Sequence, residues 1–325
     1  MTANLSRRLT LLAAAGLLSA ASLANAADWP DKPITLVVPF PPGGPTDMVA
    51  RVLAQNVGEQ LGQPLVVDNR PGANANIGNA FVARAAPDGY TVLYNTSSIT
   101  LNPALYKKMS YDVNKDLAPV VLTAVVPLAV VVNPKLPAKT VADLVDYAKK
   151  NPGKLSYGSA GNGNVTHLAA FQVAQHFGIQ ASHVPYKGSA PADVDLVAGQ
   201  TQFMTETINS VAPFIKDGKL RLLAVSTTRR LANFPDAPTL AESGMPGFEA
   251  GAWQGVMVPA HTPQPIIDRL NQAFMKALKD PQVLEKLRAQ STEPLGSTPA
   301  EYGQYIQKEL ARWASVVKST GVSLD

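Results

Sequence analysis

The residues best suited to chemistry in this 325-residue chain fall in two glycine-rich segments. One reads Pro39-Phe40-Pro41-Pro42-Gly43-Gly44-Pro45-Thr46-Asp47, and the other Tyr157-Gly158-Ser159-Ala160-Gly161-Asn162-Gly163-Asn164-Val165-Thr166-His167. In each, an apolar run passes through the glycines into a helical pattern, and Thr46 or Asp47 can cap the first helix. A helix start offers free N–H groups and a partial positive charge, which together bind anions. Glycine lets the main chain come close to a ligand. Neither segment contains Lys or Arg, so an anion there would be held by amides, hydroxyls and water. Either segment alone is more readily an ordinary strand-to-helix turn; a matched pair favours two jaws of one site.

Three other polar stretches carry less weight: Asn69-Arg70-Pro71-Gly72-Ala73-Asn74, Asn95-Thr96-Ser97-Ser98 and Val184-Pro185-Tyr186-Lys187-Gly188-Ser189. Catalysis finds little support. Ser159 and His167 could be a nucleophile and a base, but Gly158-Ser159-Ala160-Gly161 is not a G-x-S-x-G elbow. Gly153-Lys154 is followed by Leu155, which breaks the phosphate-binding loop pattern. His167, His176, His183 and His261 show no H-x-H or H-E-x-x-H spacing. There is no cysteine, hence no disulfide and no thiolate metal site. No catalytic residue, no metal and no cofactor are expected.

The elements that must position these segments alternate. Residues 34–38 form a β-rich run, and 47–61 repeat apolar residues at helical spacing through Val49, Val52, Leu53, Val57 and Leu61. A strand at 65–67, a helix at 77–84 and a strand at 90–94 follow. This βαβαβ order implies a parallel, doubly wound sheet. Residues 117–132 are one long apolar, β-branched stretch, either a strand pair or a strand crossing between domains. A helix at 141–149 is capped by Thr140. Strands at 155–157, 183–184 and 202–204 then alternate with helices at 166–177 and 191–198. A strand at 220–226, a connector at 234–248 punctuated by Pro and Gly, a strand at 255–258 and helices at 265–278 and 301–320 complete the chain.

The first 26 residues stand apart. Arg7 and Arg8 precede an apolar run from Leu9 to Leu23, and Ala24-Asn25-Ala26 offers a small-x-small cleavage site before Ala27. The run is short and alanine-rich for a bilayer span of roughly 20 apolar residues. It reads as an export signal cleaved after Ala26, leaving a soluble protein in the periplasm. Lys and Arg number 28 against 24 Asp and Glu, and no basic block or stripe is present, which argues against nucleic-acid binding.

At these same residues the chain resembles the substrate-binding proteins of tripartite tricarboxylate transporters, the Bug family. The resemblance rests on Pro39-Phe40 with Gly43-Gly44 and Asp47, on Asn69-Arg70-Pro71-Gly72-Ala73, and on Asp88-Gly89-Tyr90. It rests also on Tyr157-Gly158-Ser159-Ala160-Gly161-Asn162-Gly163 with His167, and on His183-Val184-Pro185-Tyr186-Lys187-Gly188. It covers essentially the whole mature chain. It implies an α/β, type II periplasmic-binding-protein fold: two doubly wound α/β lobes with a ligand cleft between them. Lobe 1 would take residues 27–126 and 247–325, and lobe 2 residues 127–246. It implies a monomer that captures a small organic carboxylate (a dicarboxylate, an amino acid or an aromatic acid) and delivers it to the integral membrane permease subunits of a tripartite transporter. A sensing module that feeds a two-component sensor kinase uses the same clamp and is the alternative.

Residue by residue, the resemblance places Phe40, Gly43, Gly44, Thr46 and Asp47 on one side of the ligand. It places Ser159, Ala160, Gly161, Asn162, Asn164 and His167 on the other. Thr96, Ser97 and Tyr186 from the weaker stretches complete the expected site. One pair departs from the pattern. Where the family commonly has an aspartate and an asparagine near the cleft, this chain has Glu206 and Thr207. Glu206 is expected at a strand end facing the cleft. Because like charges repel there, either it accepts a cationic or hydrogen-donating part of the ligand, the outcome favoured here, or a water or Lys187 separates the charges. The alternative is that Glu206 points to solvent or caps the next helix.

Overall fold

The computed structural model describes residues 29–320; the export signal read at residues 1–26 lies outside them. The chain opens with β1 (Ile34–Val38), α1 (Pro45–Leu61), β2 (Leu65–Asn69), α2 (Asn76–Ala83) and β3 (Thr91–Thr96). β1 pairs in parallel with β2 on one side and β3 on the other. α1 begins at Pro45, whose missing N–H costs nothing in a first turn, and ends at Gly62 in the left-handed region. Its cap is Gly44, not Thr46 or Asp47. Both of those residues lie inside the first turn because proline takes the first helical position. Val49, Leu53, Val57 and Leu61 recur every four residues and are buried against the sheet.

α3 (Ser98–Leu105) and the short α4 (Val113–Asp116) lead to β4 (Leu117–Val132). β4 is a single 16-residue strand. As far as Pro127 it pairs with β9 (Gly251–Pro259), and from Leu128 it pairs with β7 (Phe203–Thr207) and β8 (Arg221–Val225). The long apolar stretch is therefore the crossing strand rather than a strand pair. It is apolar throughout because two successive sheets bury it.

The second sheet is built from α5 (Val141–Lys150), β5 (Leu155–Ser159), α6 (Val165–Phe177), β6 (Ala181–Pro185) and α7 (Ser189–Ala198), followed by β7, α8 (Ile208–Lys216) and β8. β5 runs parallel to both β6 and β7. α5 starts with a full capping box between Thr140 and Asp143. The chain returns through β9, α9 (Gln264–Ala277), α10 (Pro281–Ala289), the two-residue β10 (Glu293–Pro294) and α11 (Pro299–Thr320).

The alternation read from the sequence omits α3, α4, α8, α10 and β10. Pro103 and Pro213, which a propensity reading takes as helix ends, sit inside α3 and α8. Burial of Leu101 and Leu105 in one and of Ile208 and Val211 in the other holds these helices. That same apolar cluster spans the lobe junction, joining α3 and Trp313 and Val317 of α11 to Leu128, Leu168 and Met204. The indole N–H groups of Trp253 and Trp313 both donate to Glu309 Oε2, at 3.1 and 2.9 Å, which ties α11 to β9.

Candidate functional site

Both glycine-rich loops end β-strands and open helices, and each is braced from within. Asp47 is the third residue of α1 and nearly fully buried. Its carboxylate accepts from Gly43 N at 2.9 Å, Arg51 Nε at 2.9 Å and Asn69 Nδ2 at 3.0 Å. Burial works to raise its pKa, but the hydrogen bonds from Arg51, Gly43 and Asn69 outweigh burial and hold it below the ordinary carboxylate range.

His167 takes the corresponding place, third in α6, and its Nδ1 accepts from Gly163 N at 3.1 Å. That bond assigns the ring hydrogen to Nε2. Its ring stacks on His183 with centroids 3.8 Å apart, and Tyr157 lies against His183 at 5.0 Å. Burial pushes both imidazoles down to about 4, with His167 adding to the effect on His183. Ser159 Oγ lies 2.7 Å from His183 Nε2 and accepts from Gly161 N at 3.2 Å. Ala160 N donates to Thr166 Oγ1 and Asn164 N to Gly161 O. The loop's own amides are thus largely engaged within it. The first turn of α6 is itself capped at Thr166 N by the Asn164 side chain, at 3.1 Å.

Between the lobes lies a cavity of about 560 Å³ of atom-free space, part of it open to solvent. Five helix starts reach it: Gly44, Pro45 and Thr46 from α1; Thr96 and Ser97 before α3; Asn164 and Thr166 at α6; Gly188, Ser189 and Pro191 at α7; and Thr207 before α8. At four of them, α1, α3, α7 and α8, no side chain caps the helix. At α3 the Ser98 and Thr100 N–H groups are taken by Thr96 Oγ1 and Ser97 O, and Pro45 and Pro191 carry no N–H. What these starts leave without a side-chain cap is Ile99 and the remaining first-turn amides of α1, α7 and α8. No Lys, Arg, Asp or Glu lines the cavity. The field there is that of converging helix ends, positive in sign, with no countercharge in the wall.

Of the residues expected at the site, the structure brings Phe40, Gly44, Thr46, Thr96, Ser97, Ala160 and Asn164 to this cavity. Gly161, Asn162 and Tyr186 line an adjoining outer groove that shares Phe40 and Ala160 with it. Gly43 is exposed at the turn. Asp47, Ser159, His167 and Glu206 are buried and lie outside the cavity lining. Thr166, Ser189 and Thr207 fall in segments named from the sequence but not among the expected ligand contacts. The signal that finds them is the one that found Thr46, a hydroxyl at a helix start after a strand.

Glu206 is the penultimate residue of β7, but its carboxylate is fully buried behind Ser189 and Thr207 rather than facing the cleft. Burial pushes its pKa up, against hydrogen bonds from Thr207 and Ser189. The lobes touch across the cleft. Asn164 Nδ2 donates to Asn74 Oδ1 at 3.3 Å, and a Cβ at Gly188 would stand 3.2 Å from Pro41 Cγ. Among the described residues no three His, Cys, Asp or Glu side chains form a metal-binding group, and no helix is long and apolar enough to cross a membrane.

With this geometry in hand, similarity to known proteins is informative. A model of the tripartite tricarboxylate transporter family receptor matches residues 49–322. Protein BugT of Bordetella pertussis is 39% identical over 327 residues, covering 99% of this chain and 99% of its own. The structure of R. palustris Rpa4515 with adipate superposes with a TM-score of 0.88 at 38% identity, covering 91% of this chain and 99% of that one. The structure of periplasmic binding protein BugD gives a TM-score of 0.87 at 35% identity, with coverage of 91% and 99%.

Proposed function

The chain belongs to the tripartite tricarboxylate transporter receptor family, as a Bug-type periplasmic solute-binding protein, and we propose that its interlobe cavity captures a small organic carboxylate. The ligand class is a dicarboxylate, an amino acid or an aromatic acid, and the bound form is handed to the integral membrane subunits of a tripartite transporter. Export to the periplasm with cleavage after Ala26 belongs to the same reading and is supported by the Ala24-Asn25-Ala26 pattern.

One observation carries the ligand class: five helix starts converge on a cavity whose wall holds no charged side chain. Each uncapped start presents amide hydrogens and roughly half a positive charge, and a carboxylate supplies what they lack. A neutral amide of the same acid cannot. The adipate in R. palustris Rpa4515 is a ligand of this chemistry in a relative.

Native mass spectrometry of the protein as purified, followed by calorimetry with the acid found and with its amide, tests the reading. A retained carboxylate that binds at least about tenfold tighter than its amide supports it. At a hundred times its dissociation constant, the acid should add about 2.7 kcal/mol of stability. Equal affinity for acid and amide would sink it.

A further inference from the structure

The hydroxyls around the cavity differ in what they offer. A serine or threonine hydroxyl has one hydrogen to donate and two lone pairs with which to accept. Thr46 and Ser97, on the first-lobe side, make no side-chain hydrogen bond among the described residues, so their hydrogens are free for a ligand. On the opposite wall, Ser189 Oγ donates to Glu206 Oε1 at 3.0 Å and Thr207 Oγ1 donates to the same oxygen at 2.8 Å. The main-chain N–H of Thr207 reaches that oxygen too, at 2.7 Å.

Three donors on one oxygen fix its role. We place any proton of Glu206 on Oε2, which is buried and has no partner, because Oε1 already receives the Thr207 N–H and both hydroxyls as oriented here. Oε1 therefore stays an acceptor whether the carboxyl is neutral or ionised. Both hydroxyls keep their hydrogens pointed at it and turn lone pairs toward the cavity. Asp193 of α7 stands behind the same wall, accepting from Ser210 Oγ and leaving its Oδ1 without a partner. Burial, then the charge of Glu206, pushes Asp193 well above the ordinary carboxylate range. Among the described residues no Lys, Arg or His is hydrogen-bonded to Glu206 or Asp193, so no paired cation reverses the polarity of the wall.

We propose that Glu206 makes the Ser189–Thr207 wall a hydrogen-bond acceptor, so that the ligand is an acid bearing a hydroxyl or ammonium donor on that side rather than an unsubstituted acid. The first-turn amides of α7 and α8 open at the same wall. A carboxylate next to its donor, as in an α-hydroxy or α-amino acid, meets both. The inference rests on the cavity being an acid site and specifies the selectivity of that site. Glu206 acts through two hydroxyls and is a positioning residue.

The test is selectivity within matched sets: succinate, malate and aspartate; glutarate, hydroxyglutarate and glutamate; benzoate, hydroxybenzoate and aminobenzoate. Dissociation constants would be measured by calorimetry on the mature protein. In at least one set, a donor-bearing acid is expected to bind about tenfold or more tighter than its unsubstituted parent, the scale of one hydrogen bond. The double variant Ser189→Ala with Thr207→Val should bring that ratio close to one, and Glu206→Met, which frees both hydroxyl hydrogens, should move it the same way. A purely structural role would weaken all acids alike and leave the ratio intact, as would a poorly folding variant compared at equal folded fraction. Unsubstituted acids binding as well as their substituted partners in wild-type protein would overturn this inference and leave the acid site standing. Failure of every acid to bind folded protein would overturn both.

Discussion

Asp47 separates two ways of building an anion site: with a side chain that touches the ligand, or with one that holds the helix end in place. The informative change is Asp47→Asn, which keeps shape and one oxygen. In the native loop, Oδ2 receives Gly43 N and Arg51 Nε while Oδ1 receives Asn69 Nδ2. If the amide oxygen of the variant stays on Gly43, its NH₂ faces the NH₂ of Asn69. Asn69 cannot turn over without loss, because it also donates to Phe40 O at 3.0 Å and accepts from Arg51 Nη2 at 3.1 Å. One hydrogen bond is therefore lost and another loses its charge assistance, each worth about 1 kcal/mol. The ion pair with Arg51 adds little, because that side chain is 53% exposed. The expected cost is about 2 kcal/mol of stability, a fall of a few degrees in the unfolding midpoint. Acid binding should weaken as well, since Asn69, which holds Phe40 O, is no longer joined to the start of α1 through residue 47, and it should weaken to a similar extent for every acid tested. A carboxylate in direct contact with a bound anion gives the opposite sign, because removing its charge would tighten binding. A stable Asp47→Asn protein with unchanged or improved acid affinity would refute the bracing role.

The stacked imidazoles give stability a pH dependence. Their folded-state values lie near 4, below the ordinary 6.5, so the unfolded chain takes up protons first as pH falls. Stability from the pair is fully present above about pH 6.5 and is lost as pH drops toward about 4; a His183→Asn variant should show a shallower decline of the thermal midpoint across that window, and parallel declines would count against it. In the first lobe, Gly255 faces the Tyr302 ring and hydroxyl so closely that an added Cβ would collide with both, while Tyr302 Oη donates to Asn95 at 2.8 Å. Gly255→Ala is expected to cost about 2–3 kcal/mol through overpacking, and a wild-type midpoint in chemical denaturation would contradict it.

Much of the scaffold was legible because its signals are local. The periodic burial of α1, the capping residues of α5 and the glycine after α6 each depend on neighbours a few positions away. The long run at 117–132 read as a strand pair or a crossing strand, and only pairing partners more than seventy residues away in sequence decide that it is one strand serving two sheets. α3 and α8 were hidden for the same reason, since apolar burial at the lobe junction overrides Pro103 and Pro213. At the site, helix starts after strands pointed to Thr46, Ser97 and Asn164. Sequence could not separate a polar atom that faces the cavity from one that faces its own loop. Asp47, His167 and Glu206 have the right chemistry at the right places, and each turns it inward to an amide or hydroxyl that the sequence does not place.

That inward turn has a common logic in the two jaws. Gly43-Gly44-Pro45-Thr46-Asp47 and Gly163-Asn164-Val165-Thr166-His167 align position by position on their helices, and in both the third helical residue reaches back to the amide two places before the helix. An acceptor is required there, because the donor is a main-chain N–H. Any negative charge on it opposes the anion-attracting field of the helix end. The two jaws meet that conflict differently. At α6 the acceptor is an imidazole held neutral by burial, so it brings no charge. At α1 it is an ionised carboxylate, and Arg51, one turn along, offsets it. Both solutions leave the helix ends as the source of the field in the cleft. Fixed dipoles from two lobes act together only while the lobes are shut, as Asn164 and Asn74 hold them here. Were the lobes to part, the α1 and α3 ends would separate from those of α6, α7 and α8, and no charged side chain in the cavity wall would remain to retain the proposed ligand. On the proposed acid-capture reading, a cleft made in this way would couple capture to closure and let opening alone release the acid.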